Sequence, residues 1–421
     1  TYFWFTGDET SNRWDIANFS GPFEIKPTIT TYTGHGRINR SDCTDGVCSY
    51  AQEIQNFANW YTYYRSRVLT ARAGIGKAFS RQGSGMRIGY AAINKGTSTI
   101  DGESTGTVVS GVRPFSGSDR NSFFSNLYER TIPNSGTPLR QSLYDVGSYF
   151  SRSDDRGPWG NTPGTNDNTP HLQCRASYAI MMTDGYWSGT LSNTVGNIDN
   201  ASGPVISGPN NSDYQYSPSS PYNDSYSNTL ADVAMRFWNR DLRTDLDNKV
   251  PTSNSDPSFW QNMVTFGVGL GVSGSIDPET AFSSITTGSE ISWPDPSGSN
   301  EAKLDDLLHA TVNSRGGFFS ASDPDTFSEQ LSGILTNIAD RTSSASSVSL
   351  NSGSISSESL VYQARFNSGD WSGQLLAFPI INEIENESFG ELSTPAAWDA
   401  RNLIPAANSR QIVTFDGSMG K

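Results

Sequence analysis

From Ile54 the apolar positions fall at Ile54, Phe57, Tyr61, Tyr64, Val68, Ala71, Ile75 and Phe79, in alternating steps of three and four. That spacing keeps one face apolar and predicts a single long amphipathic helix. Met86 to Ile93 and Thr107 to Phe115 alternate as strands do. A short helix follows around Asn121 to Arg130. Thr137 then stands before Pro138, placed to cap a helix whose buried face is Leu139, Leu143, Val146 and Phe150. Ala176 to Met182 is apolar without clean alternation, as in a strand covered on both faces, and it ends at Thr183-Asp184-Gly185. Thr229 to Leu242 reads as helix, Met263 to Val272 as a buried strand, and Lys303 to Asn313 and Phe327 to Ile338 as helices. Strands alternating with helices predict an α/β fold built on a parallel sheet with helices on both faces.

The pattern breaks in two places. Residues 187–227 are rich in Ser, Asn, Pro, Gly and Tyr with no periodicity, which predicts a long surface insertion. Ser343 opens a Ser-rich stretch that reads as a linker over 343–358. Beyond it, Ser359 to Phe366 and Trp371 to Phe378 alternate around Asn367-Ser368-Gly369-Asp370, a hairpin signal. The organisation expected is therefore one α/β domain over 1–342, the linker, and over 359–421 the β-rich start of a domain continuing past Lys421.

Composition narrows the function classes. Acidic residues outnumber basic ones by 43 to 29, a net charge of -14 that repels phosphate backbones, so nucleic acid is not an expected partner. No apolar run approaches the roughly 18 residues that cross a bilayer, so no transmembrane segment is expected. Thr1 opens the chain with neither Met nor a signal-peptide pattern; together with the Ser, Thr, Asn, Gly and Tyr content, the expectation is an exported protein whose signal has been removed, or a fragment. Cys43 and Cys48 bracket an Asp-Gly turn that brings them within bridging distance, which predicts a local disulfide in an oxidising compartment; in a cytosolic loop the same pair would be free thiols. Cys174 has no obvious partner.

Candidate chemistry is sparse. The histidines are His35, His171 and His309, none in a catalytic motif, and His309 within LDDLLHATV reads as a packing residue. Asp305 and Asp306 point about 100° apart on a helix and cannot flank one bond, so a helix-dipole role is expected. No enzyme activity is expected. Tyr61 and Tyr64 belong to the buried stripe of the long helix, whereas Tyr214, Tyr216, Tyr222 and Tyr226 in the insertion offer a contact surface. In an open parallel sheet ligands gather at the carboxyl ends of the strands, where Thr137 and Asp184 would present hard oxygen atoms of the kind Mg²⁺ or Ca²⁺ accepts. A helix cap and a simple turn account for the same two residues.

Several long segments carry a resemblance: Gln55 to Phe79, SGTPLRQSL from Ser135, YAIMMTDGYWSG from Tyr178, TLADVAMRFWNRDL from Thr229, WQNMVTFGVGLGV from Trp260, KLDDLLHATVNSRGGFF from Lys303 and VYQARFNSGDWSGQLLAF from Val361. They resemble, in the same order, the type IV pilus assembly and tip-adhesin family (PilC/PilY). The resemblance implies a von Willebrand factor A-like region followed by a C-terminal β-propeller whose first strands begin near Ser359. It further implies a pilus-tip adhesin and assembly factor at the cell surface, with minor pilins and a host-cell or abiotic surface as partners. A purely structural cap that primes the fibre is the alternative. Such A domains often bind Mg²⁺ or Ca²⁺ through a D-x-S-x-S loop, a Thr and an Asp. Thr137 and Asp184 match the last two. The D-x-S-x-S loop is absent; its nearest approach is Asp8, Thr10 and Asn12, or it lies upstream of Thr1.

Overall fold

A computed structural model describes residues 1–7, 15–34, 36–209, 212–253, 256–321, 324–342, 344–350, 360–367, 372–379 and 397–404. The chain divides into two compact units, Thr1–Lys77 and Ala78–Lys421.

In the first unit, strand Tyr2–Phe5 pairs antiparallel with Phe19–Phe23. Asp8, Thr10 and Asn12, the nearest approach to the missing loop, lie outside the described residues. Cys43 and Cys48 are joined by a disulfide. Helix Tyr50–Tyr63 starts from a capping box, in which Ser49 and Gln52 satisfy each other's backbone N–H. The buried carboxylate of Glu53 accepts from Nε and Nη2 of Arg37 at 3.1 and 2.7 Å, a forked pairing that offsets the desolvation of both charges. The single long helix expected here is two helices, Tyr50–Tyr63 and Arg67–Ser80. The register of three and four runs through the break, but Tyr64 leaves helical geometry and the Ser66 hydroxyl accepts from the Leu69 N–H, starting a new turn. Tyr61, expected in the buried stripe, is 52% exposed and lies under the Arg65 guanidinium.

The second unit is built around three parallel strands: β1 (Tyr178–Thr183), β2 (Val264–Leu270) and β3 (Phe318–Ala321), with β2 in the centre. The helices that matter to it are α1 (Leu139–Phe150), α2 (Leu230–Trp238), α3 (Asn300–Asn313) and α4 (Pro324–Thr342). Neighbouring residues of a strand face opposite ways, and along β2 Gly267 meets Leu307 and Thr311 of α3 while Phe266 lies under Arg341 of α4. The central strand is thus covered on both faces, which is why its sequence is apolar without alternation. Side chains of α1, α2, α3 and β3 (Leu143, Leu230, Val233, Phe237, Leu307, Ala310 and Phe318) form the core. Helix Pro278–Thr287, capped by Asp277 and ended by Gly288 in the left-handed region, joins β2 to α3. Strands Arg87–Ala91 and Val108–Pro114 form a separate antiparallel pair under helix Gly117–Glu129, and Tyr149 of α1 reaches it by accepting the Val112 N–H at 2.8 Å.

Within the stretch 187–227, expected as a surface insertion, the described residues line the core from one side. Trp187, Leu191, Ile206 and Tyr216 are buried there, and a hairpin pairs Val205–Ser207 with Asp213–Gln215. Ser344–Leu350, within the expected linker, is a strand antiparallel to Leu360–Asn367, which pairs in turn with Ser372–Pro379.

Candidate functional site

Two places in the second unit gather polar side chains. One is the carboxyl-end rim of the parallel sheet. Strand β1 ends at Thr183, whose hydroxyl accepts the Gly185 N–H at 3.2 Å, and this tight turn leaves Asp184 exposed at the edge. The Thr137 loop meets the same turn. The backbone N–H of Thr137 donates to Ser188 Oγ, and the Ser188 N–H donates to the Thr137 carbonyl, both at 2.8 Å. The loops of Thr137 and Asp184 are therefore brought together. Thr137 was expected to cap α1 from Pro138; instead α1 begins at Leu139 with Pro138 in the cap position and no side-chain cap.

Beneath the rim, Trp187 fixes the loop. Arg140 of α1 lies 3.8 Å over its ring and donates to the carbonyls of Gly189 and Asn228. The indole N–H donates to Asp306 of α3 at 2.9 Å. Asp306 also accepts the N–H groups of Leu230 and Ala231 at 3.0 Å, so its charge stabilises the N-terminus of α2 rather than that of its own helix. Asp305 points elsewhere, to the backbone of Ser275 and Ile276. As donors for an adhesion-type ion the described residues supply Thr137 and Asp184 with the adjacent Ser188, an incomplete set.

The second place is buried. Asp199, Asp224 and His309 each offer one ligand atom, and these atoms lie within 4.8 Å of one another. His309 stacks face to face on Trp293, with ring centroids 4.1 Å apart, as its reading as a packing residue anticipates. Its Nε2–H donates to the Tyr222 carbonyl at 2.8 Å, which turns Nδ1 toward Asp224 Oδ2 at 3.5 Å. Asp199 accepts from the Asn313 amide at 2.9 Å and from the Asp224 N–H at 3.3 Å; Asp224 accepts from the Tyr226 N–H at 2.7 Å. Burial pushes Asp199 up to about 7, against the pull of His309. For His309 burial opposes the charge, but the carboxylates of Asp224 and Asp199 outweigh it and raise its pKa.

Sequence reasoning missed Asp199 and Asp224 because the insertion has no period. Their signal is local: Asn197, Asp199 and Asp224 each accept a backbone N–H a few residues ahead or across the loop, the turn chemistry of Asn and Asp. Of the tyrosines expected as a contact surface, Tyr214, Tyr216 and Tyr222 pack against neighbouring side chains. Tyr216 is buried with its hydroxyl on the Asp199 carbonyl, Tyr214 stacks on Trp260, Tyr222 lies under Arg315, and Tyr226 is half-buried. Large aromatic rings fill the space between the aperiodic loop and the core, which a polar loop could not do alone. His171 is held between Asp155 and Arg243, and His35 lies outside the described residues. Among the described residues no helix is long and apolar enough to cross a membrane.

The chain is 32% identical over 400 residues to the type IV pilus biogenesis factor PilY1 of Pseudomonas aeruginosa strain PAK, an alignment covering 88% of this chain and 33% of the relative. To the protein of the same name from strain PAO1 it is 31% identical over 410 residues, 89% of this chain and 34% of the relative. The chain thus spans about a third of the length of the curated relatives it matches. No protein-family model matches it, and no solved structure matches it.

Proposed function

We propose, from the premise that this chain belongs to the PilC/PilY family of type IV pilus biogenesis factors, that it is the part of such a factor that engages partners at the pilus tip. In this reading the chain is exported, folds as a von Willebrand factor A-like domain, and binds minor pilins and a host-cell or abiotic surface. Its working face is the rim formed by the Thr137 and Asp184 loops. The observation that carries the reading is the reciprocal pair of hydrogen bonds between Thr137 and Ser188, which makes one surface of two loops far apart in sequence. Parallel strands covered on both faces support the A-like fold, whose ligands collect at this edge. In the form the resemblance implies, Thr137 and Asp184 hold Mg²⁺ or Ca²⁺ there.

The test is capture of minor pilins and adhesion to surfaces by the purified chain, with and without divalent ion, for the wild type and Asp184→Ala. Divalent-dependent adhesion lost in Asp184→Ala supports the adhesin. Capture of minor pilins with no surface binding replaces it by the structural cap. Absence of both sinks the reading.

A further inference from the structure

We infer that Asp199, Asp224 and His309 bind a divalent cation of the class that takes mixed imidazole and carboxylate ligands, Zn²⁺ foremost, and that this ion fastens the loop segments around Asp199 and Asp224 to α3. The inference is independent of the pilus reading.

The geometry leaves room for an ion between the side chains. His309 Nδ1 and Asp224 Oδ2 are 3.5 Å apart, and His309 Nε2 and Asp199 Oδ2 are 3.7 Å apart, both too long for a good hydrogen bond. Two ligands that each lie about 2.1 Å from a shared ion stand roughly 3 to 4 Å from each other, the spacing found between Nδ1 and Asp224. The tautomer is set for it. Nε2 faces a carbonyl, which only accepts, so Nε2 carries the proton and Nδ1 is the nitrogen left to ligate.

The surroundings are those of a built site. Each ligand is held by a further group: His309 by the Tyr222 carbonyl and the Trp293 ring, Asp224 by the Tyr226 N–H, and Asp199 by the Asn313 amide. An independent observation comes from Asn313, four residues beyond His309 on α3 and fully buried. Its Nδ2 is bonded to Asp199, while its Oδ1 has no hydrogen-bond partner. An amide oxygen without a donor, on the group that touches Asp199, is an orphan that a cation or its bound water would satisfy. An ion here would take the imidazole neutral and both carboxylates ionised, and its two positive charges would cancel theirs in a buried place. The nitrogen ligand favours Zn²⁺ over Ca²⁺ or Mg²⁺, which prefer oxygen alone.

The experiment uses the whole chain, stripped with a chelator and dialysed against Zn²⁺. Expected are one Zn²⁺ per chain by elemental analysis, a melting temperature raised by Zn²⁺ and lowered by chelator, and at least a tenfold weaker affinity in His309→Gln and Asp224→Asn by calorimetry. A wild-type chain that retains no Zn²⁺, or variants that fold by circular dichroism and bind Zn²⁺ as the wild type does, would overturn the inference and leave His309 as a buried imidazolium. If the variants do not fold, Co²⁺ loaded into the wild type decides. Visible bands of nitrogen and oxygen ligation that Zn²⁺ displaces support the site, and their absence overturns it.

Discussion

Trp187 and Asp306, 119 residues apart, share a hydrogen bond of 2.9 Å that ties the rim loop to a helix of the core. The same carboxylate holds the first two N–H groups of α2. Replacing Asp306 with Ala strands three buried donors at once, each costing about 1 to 3 kcal/mol when left unpaired. Asp306→Ala should therefore lose at least about 3 kcal/mol in urea unfolding. Trp187→Phe, which keeps a ring and leaves the two helix N–H groups satisfied, should lose less.

Asp306 also makes stability depend on pH. Burial pushes its pKa up to about 6, and the N–H groups of Leu230 and Ala231 pull it down without prevailing. A carboxylate whose folded pKa exceeds its unfolded value of about 3.9 binds its proton more tightly when folded, so its contribution is greatest below that value. It should decline as pH rises to about 6 and stay level above. Unfolding measured from pH 4 to 8 should show a slope in this window that is shallower in Asp306→Asn, where the buried Asp199 and Asp232 still contribute theirs; equal slopes would refute the assignment.

Alkylation without reductant should label Cys174 alone, whereas reduction should open Cys43 and Cys48 and give three labels by mass spectrometry. The closed loop is short, so in the chain-entropy account its loss costs about 2 kcal/mol. Replacing both Cys43 and Cys48 with Ser should lower the stability of residues 1–77 by about that amount in proteolysis or denaturant titration.

Gly147 lies where α1 crosses α2, and a Cβ there would run into the Phe237 ring. Ala favours a helix over Gly by about 1 kcal/mol. Crowding a packed ring costs about 1 to 3 kcal/mol, so the sign should follow the contact. Gly147→Ala is expected to melt lower than the wild type; a higher melting temperature would show that the ring yields.

The α/β alternation was legible because β1, β2 and the helices carry long apolar signals; β2 and α3 fall within a few residues of the positions read from the pattern. Strand β3 was not, since its four residues follow Arg315-Gly316-Gly317, which reads only as a helix end. Helix Pro278–Thr287 had its markers, an Asp-Pro start and a closing Gly, but its apolar positions are few. Thr137 and Asp184 were legible as residues at a rim, whereas the Ser188 hydroxyl that joins their loops belongs to a contact no spacing announces. Asp199 and Asp224 escaped for the same reason: tertiary packing, not period, brings them to His309.

Asp306 and His309 are three residues apart, neighbours on one side of α3. A single rigid rod thus holds the peg of the outward-facing loop and one jaw of the inner clasp. Should filling the clasp stiffen the outer loop and alter its grip on a partner, seizing that partner must tighten the clasp in equal proportion, because such cross-talk runs equally both ways.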